Sequence, residues 1–261
     1  MQRIEYYESP SPHVVIENFL PIPAARECLE EAQWLEPIFQ PASTIGMAHE
    51  DDVDDCEECK ARLDASITGI RSNDVVYLDS YYRNRRHESK ILLHLEQAFM
   101  SRALKNAFAQ LPHLFPLINQ TTHMETILSS YGMCDFYGFH TDTLPHQPSS
   151  RILTCVLHWN TEPQRFEGGE LILTGDTIQD QYAHQPSHNT AVFFQSNQCV
   201  HAVGETRHEG SFKDSRFSIN LWLGFEHREH HSDELNDSFK YLSLIHISEP
   251  TRPERISYAL L

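Results

Sequence analysis

From about residue 123 onward, the sequence consists of short β-rich runs separated by turn residues. Seven such runs are "METILSSYG", "DFYGFHTD", "RILTCVLHW", "GELILTG", "NTAVFFQ", "QCVHAVG" and "RFSINLWLGF". No helical pattern lies between them, so consecutive strands lack the crossover helices that a parallel sheet needs. This spacing predicts an antiparallel sandwich or barrel rather than a parallel α/β sheet.

The first 120 residues predict mainly helices. "PIPAARECLEEAQWL" opens with prolines suited to a first turn, and "ESKILLHLEQAFMSRALKNAFAQL" repeats apolar residues at intervals of three and four. Short strands are predicted at "HVVIENF" and at "DVVYLDSYY" (74–82), and "RNRRH" (83–87) predicts an exposed basic loop. We therefore expect a helical support region at 1–120, packed on a β core at 121–228.

The end of the chain, residues 229–261, predicts a polar tail that is disordered or non-native. Its segment "SLIHISEPTRPERISYALL" (243–261) continues no earlier pattern and resembles a translated library adapter. We assign no function to it.

The charge balance restricts the kinds of partner. The chain has 37 Asp and Glu against 20 Lys and Arg, a net charge of −17, which disfavours nucleic acid and anionic membranes. The acidic run at 49–59 predicts a solvated loop. No stretch resembles a signal peptide or a membrane span. We expect an intracellular protein, cytoplasmic or nuclear, with a protein, peptide or small-molecule partner; the oligomeric state stays open.

The cysteines are too sparse for a disulfide scaffold, with six in 261 residues. Cys56 and Cys59 form a Cys-x-x-Cys pair, but the second pair of a typical zinc site is missing. The other four are expected to be reduced, in apolar or mixed surroundings: Cys28, Cys134, Cys155 and Cys199.

His140 and Asp142 form one of three His-x-Asp patterns in the chain. The others begin at His49 and His231, in polar runs without flanking strands. About one such pattern is expected by chance in a chain with this many histidines and aspartates, so the pattern alone proves little. Residues i and i+2 of an extended segment lie on the same side, so this imidazole and carboxylate can reach one ion. A second histidine from another strand would complete a 2-His-1-carboxylate site of the kind used by Fe(II) oxygenases.

His201, in "QCVHAVG", is the candidate for that third ligand. Further on, Arg216 and Ser218 lie on one face of "RFSINLWLGF", whose apolar residues form the other face. An arginine on an inward strand face is costly unless it meets an anion, and an adjacent hydroxyl completes a clamp for a carboxylate.

These residues together resemble the Fe(II)/2-oxoglutarate-dependent dioxygenases, and among them the prolyl hydroxylase-like group. The resemblance covers residues 123–225 and includes His140-x-Asp142, "RILTCVLHWN", the Gly168-Gly169 pair, His201 and "RFSINLW". It implies a mainly β fold, a double-stranded β-helix (jelly roll) with N-terminal helices in support.

The resemblance also implies roles for individual residues. His140, Asp142 and His201 would ligate Fe(II), and Arg216 with Ser218 would bind the distal carboxylate of 2-oxoglutarate. Further residues that match co-substrate positions are Tyr131, Tyr137, Thr154 and His158. Regular strand alternation would turn Tyr137 away from His140. His158 replaces a tyrosine of the closest relatives, and the gap between His201 and Arg216 is longer than usual, so Lys213 or Arg207 are alternative anchors.

The implied reaction is hydroxylation of a C–H bond with O2 and 2-oxoglutarate, releasing succinate and CO2, with ascorbate as a candidate auxiliary reductant. A prolyl residue of a protein or peptide is the favoured substrate. The alternatives are a free amino acid or other small molecule, a cupin-type metalloenzyme that does not use 2-oxoglutarate, and a non-enzymatic binding module. Arg216 and the complete ligand set argue against the last two.

Overall fold

A computed structural model describes residues 2–42, 70–143, 151–177 and 179–225 of the chain. The predictions for the acidic loop at 49–59, its Cys-x-x-Cys pair and the tail at 229–261 lie outside these residues. The described residues all belong to the unit Met1–His227.

The described residues contain fourteen strands, which pair in an antiparallel manner. In chain order they are β1 (Arg3–Tyr7), β2 (His13–Glu17), β3 (Gln40–Pro41), β4 (Asp74–Tyr77), β5 (His123–Tyr131), β6 (Tyr137–His140), β7 (Arg151–Trp159), β8 (Glu167–Gly168), β9 (Leu171–Thr174), β10 (Gln181–His184), β11 (Thr190–Gln195), β12 (His201–Val203), β13 (Thr206–Arg207) and β14 (Arg216–Gly224). Each of the seven runs predicted from residue 123 onward overlaps one of these strands.

Two sheets face each other. The larger sheet has the order β1-β2-β11-β7-β14-β5-β4-β3, and the smaller has the order β10-β9-β12-β6; β8 and β13 form a separate pair. An apolar cluster that includes Val156 and Phe194 of the larger sheet and Leu171 and Leu173 of the smaller one fills part of the space between them. The predicted antiparallel sandwich is therefore confirmed.

Strand β14 shows how the sequence alternation separates the two faces of the larger sheet. Its apolar residues, from Phe217 to Leu223 in steps of two, join the core that packs beneath the helices. Its alternate residues, from Arg216 to Trp222, lie on the inner face toward the smaller sheet. Because β14 pairs along its length with both β5 and β7, its neighbours share this division.

Helices cover the outer face of the larger sheet. They are α1 (Ile22–Trp34), α2 (Leu78–Tyr81), α3 (Lys90–Met100) and α4 (Arg102–Phe108), with short 3-10 helices at Glu36–Ile38, Arg86–Glu88, Phe115–Asn119 and Phe212–Asp214. The single helix expected over 88–111 is broken at Ser101, whose backbone is extended with φ −59° and ψ 129°. On either side of the break, Leu95 and Phe108 both reach the outer core.

The N-terminal region also supplies strands to the larger sheet, as β1 to β4 are hydrogen-bonded members of it. The strand predicted at "HVVIENF" is confirmed. The strand predicted at 74–82 ends at Tyr77, and its second half is helical, because Leu78 and Tyr82 turn into the outer core and close a helical hydrogen bond of 2.8 Å.

Two further observations concern the cysteines and the helices. Cys28, Cys155 and Cys199 are free and buried, as expected. Cys134 is disulfide-bonded, so the expectation that it is reduced is wrong; it lies in a tight turn with φ 62°. No helix among the described residues is long and apolar enough to cross a membrane.

Candidate metal centre

His140, Asp142 and His201 come together at one end of the smaller sheet. His140 ends β6, His201 begins β12, and the two are direct partners in the ladder. Asp142 follows β6 by two residues and lies between them, with Oδ1 3.8 Å from His140 Nε2 and Oδ2 3.6 Å from His201 Nε2. The three ligand atoms lie within 4.8 Å of one another, so they can hold one metal ion.

The backbone fixes which nitrogen of each histidine faces the metal. His140 Nδ1 lies 2.9 Å from the carbonyl oxygen of Gly138, and His201 Nδ1 lies 3.2 Å from that of Cys199. A carbonyl only accepts, so each Nδ1 carries the proton and each Nε2 offers its lone pair. Burial, together with the neighbouring His201, lowers the pKa of His140 to about 3, which keeps its imidazole neutral as a ligand must be.

Asp142 is held as a carboxylate. Burial alone would raise its pKa, but His201, His140 and a hydrogen bond from Thr154 together bring the pKa below its ordinary value. Thr154 Oγ1 donates to Asp142 Oδ2 at 2.5 Å and lies 3.0 Å from Ser196 Oγ. The Asp142 backbone N–H also donates to the carbonyl of Ser196 at 3.2 Å. These contacts orient the carboxylate before any ion binds.

Arg216 is fully buried on the inner face of the larger sheet. Its Nε donates to the carbonyl of Gly169 at 2.7 Å, Nη1 to Ser218 Oγ at 3.1 Å and Nη2 to His158 Nδ1 at 3.3 Å. Burial lowers the pKa of Arg216 to about 10, so the guanidinium remains charged at neutral pH. Within the part of the chain that the structure describes, no carboxylate forms an ion pair with it. Arg216 therefore supplies a buried positive charge that an anion would stabilise.

His158 presents a second polar group beside Arg216. Its Nδ1 accepts from the guanidinium, so the ring proton is on Nε2, and burial holds the pKa of His158 well below its ordinary value. That Nε2–H is buried and has no hydrogen-bond partner among the described residues. An acceptor brought to this place would satisfy it.

Two tyrosines contact the residues described above: Tyr131 lies beside Arg216, and Tyr137 lies beside His140. The Arg216 guanidinium lies 4.6 Å from the centre of the Tyr131 ring, and Tyr131 is also within electrostatic reach of Asp142. The Tyr137 ring stacks on His140 with centroids 3.7 Å apart. The expectation that Tyr137 points away from His140 is wrong, because the pairing of β6 with β12 has a register irregularity that changes the alternation.

The alternative anchors lie elsewhere. Lys213 is exposed on a 3-10 helix, and Arg207 is exposed and pairs with Glu205 at 2.8 Å. Arg71, which the sequence analysis missed, is buried with its guanidinium 4.2 Å from the centre of the Tyr137 ring. A lone arginine preceding a short strand gives no sequence signal; only the bridge between Arg71 and Tyr137 brings it to the site.

An antiparallel double sheet that brings together two histidines of neighbouring strands and an aspartate that follows one of them is the arrangement typical of non-haem iron oxygenases of double-stranded β-helix fold. Residues 126–224 match the model of the 2OG-Fe(II) oxygenase superfamily. Fe(II) at the His-Asp-His triad and 2-oxoglutarate as co-substrate are typical of it. The cupin-type alternative that does not use 2-oxoglutarate is thereby disfavoured.

Among curated proteins, the chain is 28% identical over 175 residues to an uncharacterized PKHD-type hydroxylase of the cyanobacterium Synechocystis. The match covers 62% of this chain and 56% of that protein, so the chain spans little more than half of the relative's length.

Two solved structures show the same fold. A prolyl-4-hydroxylase of Pseudomonas putida superposes with a TM-score of 0.51 at 17% identity, covering 82% of this chain and 92% of that one. A prolyl hydroxylase of Trichoplax adhaerens, in complex with a hypoxia inducible factor peptide fragment, superposes with a TM-score of 0.51 at 16% identity, covering 81% and 83%.

Proposed function

We propose that this chain hydroxylates a C–H bond of a prolyl residue in a peptide or protein, with Fe(II) held by His140, Asp142 and His201 and 2-oxoglutarate anchored at Arg216. The observation that carries the proposal is the buried Arg216 guanidinium, which has no carboxylate ion-pair partner in the described residues and, like Asp142, interacts electrostatically with Tyr131. A buried charge without a counter-ion destabilises the fold by several kcal/mol. A carboxylate of a bound dicarboxylate would offset this cost.

The surroundings of Arg216 fit the far carboxylate of 2-oxoglutarate. Ser218 places a hydroxyl at 3.1 Å from the guanidinium, and the unpartnered Nε2–H of His158 supplies a further donor. An acid with two carboxylates can meet this clamp with one end and the metal with the other. An anion with a single short carboxylate would satisfy only one of the two groups.

The residues of the site act by positioning the ion and the co-substrate rather than by transferring protons. Bound Fe(II), with 2-oxoglutarate and O2, supplies the oxidising chemistry and releases succinate and CO2. The chain's own residues hold the ion in one orientation, because Thr154 fixes the Asp142 carboxylate and two backbone carbonyls fix the histidine rings. Tyr131 lies beside the Arg216 anchor, and Tyr137 stacks on the metal ligand His140. No side chain needs to act as a general acid or base.

The surface next to the metal supports a peptide rather than a small molecule. Phe139, one residue before His140, is 42% exposed on β6, the outermost strand of the smaller sheet. An exposed aromatic on the strand that carries a metal ligand offers an apolar contact to an extended chain. The hydroxylase name of the Synechocystis relative and the peptide in the Trichoplax neighbour are consistent with this choice.

The test is succinate formation by the purified chain with Fe(II) and 2-oxoglutarate, using proline-containing peptides, the same peptides with alanine for proline, and free proline. We expect a gain of one oxygen atom in the prolyl peptides, with matching succinate, and neither product from the alanine versions. Succinate with free proline alone would replace the peptide with a small-molecule substrate. No succinate in any mixture would overturn the proposal. Parallel assays without ascorbate test that predicted reductant.

A further inference from the structure

A short turn, residues 195–199, joins β11 to β12. The backbone N–H groups of Gln198 and Cys199 close it by donating to the carbonyl of Gln195, at 3.4 and 3.2 Å. Ser196 and Cys199 are both 0% exposed, although connecting segments usually lie at the surface. The polar groups of a buried turn need partners inside the protein, and here those partners belong to the metal centre.

The backbone of Ser196 joins the 195–199 turn to two neighbouring segments. Its N–H donates to the carbonyl of Ile152 on β7 at 3.0 Å, and its carbonyl accepts from the N–H of Asp142 at 3.2 Å. Both contacts use the main chain, so a substitution of the Ser196 side chain leaves them in place. The hydroxyl of Ser196 is therefore available for a separate task.

That hydroxyl reaches the Asp142 carboxylate through Thr154. Thr154 has a single hydroxyl proton, which it donates to Asp142 Oδ2 at 2.5 Å. The contact of 3.0 Å between Thr154 Oγ1 and Ser196 Oγ therefore takes its proton from Ser196. The three groups form a directed chain from Ser196 to Thr154 to Asp142. Because hydrogen bonds in a chain polarise one another, the bond from Ser196 strengthens the bond that Thr154 donates to the carboxylate.

The other end of the 195–199 turn holds a second metal ligand. The carbonyl of Cys199 lies 3.2 Å from His201 Nδ1, which directs Nε2 of that ring toward Asp142 Oδ2, 3.6 Å away. His140 is held separately, by a carbonyl of its own strand. One turn thus contacts two of the three ligands, one from each of its ends.

We propose that the 195–199 turn is a shared support for Asp142 and His201, and that Ser196 is a positioning residue that acts on the metal site through Thr154. This role rests on the proposed function, in that it takes the His-Asp-His triad as the metal site. Ser196 is not a ligand itself. Its hydroxyl keeps the Asp142 carboxylate in the orientation that the ion requires, and the loss of such a contact weakens metal binding about 10-fold or more.

The test is titration of the metal-free chain with CoCl2, followed by the visible absorption of bound Co²⁺, which accepts nitrogen and oxygen ligands as Fe(II) does. A variant with His140→Ala and Asp142→Ala gives the signal from other histidines, which is subtracted. We expect Ser196→Ala and Thr154→Val each to raise the Kd for Co²⁺ about 10-fold. Thr154→Ser, which keeps the hydroxyl, should restore an affinity close to that of the unaltered chain.

The double variant shows whether Ser196 acts through Thr154. In the Thr154→Val background the chain of hydrogen bonds is already broken, so Ser196→Ala should raise the Kd by less than about twofold more. Losses that multiply in the double variant would overturn the proposal, as would an unchanged Kd in Ser196→Ala alone. Absence of Co²⁺ binding by the unaltered chain would overturn the proposed function as well.

Ser89→Ala is the matched control for the loss of a buried hydroxyl. Ser89 is also 0% exposed and makes two hydrogen bonds, accepting from the N–H of Leu92 at 3.1 Å and donating to Glu31 at 2.8 Å. It lies at the start of α3, among the helices. We expect Ser89→Ala to lower Tm in EDTA but to leave the Kd for Co²⁺ unchanged. Equal losses of Co²⁺ affinity in Ser89→Ala and Ser196→Ala would contradict a positioning role.

Discussion

The guanidinium of Arg151 donates from Nη1 to the backbone carbonyl of Asp142 at 3.2 Å. The same guanidinium binds both carboxylate oxygens of Glu125, at 3.1 and 2.5 Å, and lies 4.0 Å from the centre of the Trp222 ring. Arg151 thus ties the segment after β6, which carries an iron ligand, to the neighbouring strands β5, β7 and β14. Its contact with Asp142 is through the backbone, so it positions the ligand without touching the ion.

We expect Arg151→Ala to weaken Fe(II) binding about 10-fold or more, the usual cost of losing a contact that orients a metal ligand. The affinity for 2-oxoglutarate, measured with the metal site saturated, should change far less, because Arg216 and its partners are untouched. Isothermal titration with Fe(II) under anaerobic conditions separates the two affinities.

Arg3→Ala is the matched control, because Arg3 pairs with Glu5 at 2.5 Å but is 63% exposed and far along the sheet. It should leave Fe(II) binding unchanged. A loss of 2-oxoglutarate binding equal to the loss of Fe(II) binding in Arg151→Ala would indicate general disruption of the fold instead of a positioning role.

The parts of the fold that depend on local pattern could be predicted from the sequence. The alternation of β14 separates Phe217 and its apolar neighbours from Arg216 and Ser218, because strand periodicity alone assigns the two faces. The metal ligands were likewise predictable, since His140 and Asp142 need only an extended segment and His201 a paired strand.

Features that depend on contacts between distant segments could not be predicted. The stacking of Tyr137 on His140 results from an irregularity in the pairing of β6 with β12, which no local period reveals. Arg71 reaches the site only through its bridge to Tyr137. The helix break at Ser101 follows from how Leu95 and Phe108 pack on the outer core, since helical periodicity continues through the break.

Measurements of the affinity for 2-oxoglutarate can decide whether Arg216 or Lys213 anchors this co-substrate. We expect Arg216→Lys to raise the Kd for 2-oxoglutarate about 30-fold, equivalent to about 2 kcal/mol, because a compact ammonium cannot reach all three of the acceptors that the forked guanidinium contacts. Lys213→Ala should change that Kd by less than about twofold, the range expected for an exposed charge. Equilibrium binding without substrate measures both; the reverse order of effects would transfer the anchor to Lys213.

Gly169 has no side chain, which leaves space for the side chain of Arg216. A larger residue at this position should displace Arg216. A Cβ at Gly169 would lie 2.6 Å from Arg216 Cδ and 2.9 Å from Thr206 Cγ2, at a backbone φ of +71° that favours glycine. We expect Gly169→Ala to weaken 2-oxoglutarate binding about 10-fold or more while Fe(II) binding persists. Gly204→Ala is the control, because the nearest atom to its Cβ would be the flexible end of the Glu170 side chain, at 3.0 Å. Similar losses in both variants would contradict this role.

Acid pH should destabilise the fold partly through His184. Its pKa is about 4 in the folded protein, lowered by burial and then by His13 from an ordinary value of 6.5, so the unfolded chain takes up a proton that the folded chain does not. The stability attributable to His184 therefore falls as pH decreases from about 6.5 towards 4. At pH 5 the loss should be about 1 kcal/mol, a value reduced because the ring is partly exposed to solvent.

With EDTA present, the drop in Tm between pH 7 and pH 5 should be about 2 °C smaller in His184→Gln than in the unaltered chain. His87→Gln should keep the full drop, and an undiminished drop in His184→Gln would show that its imidazole is as readily protonated in the folded chain as in the unfolded one.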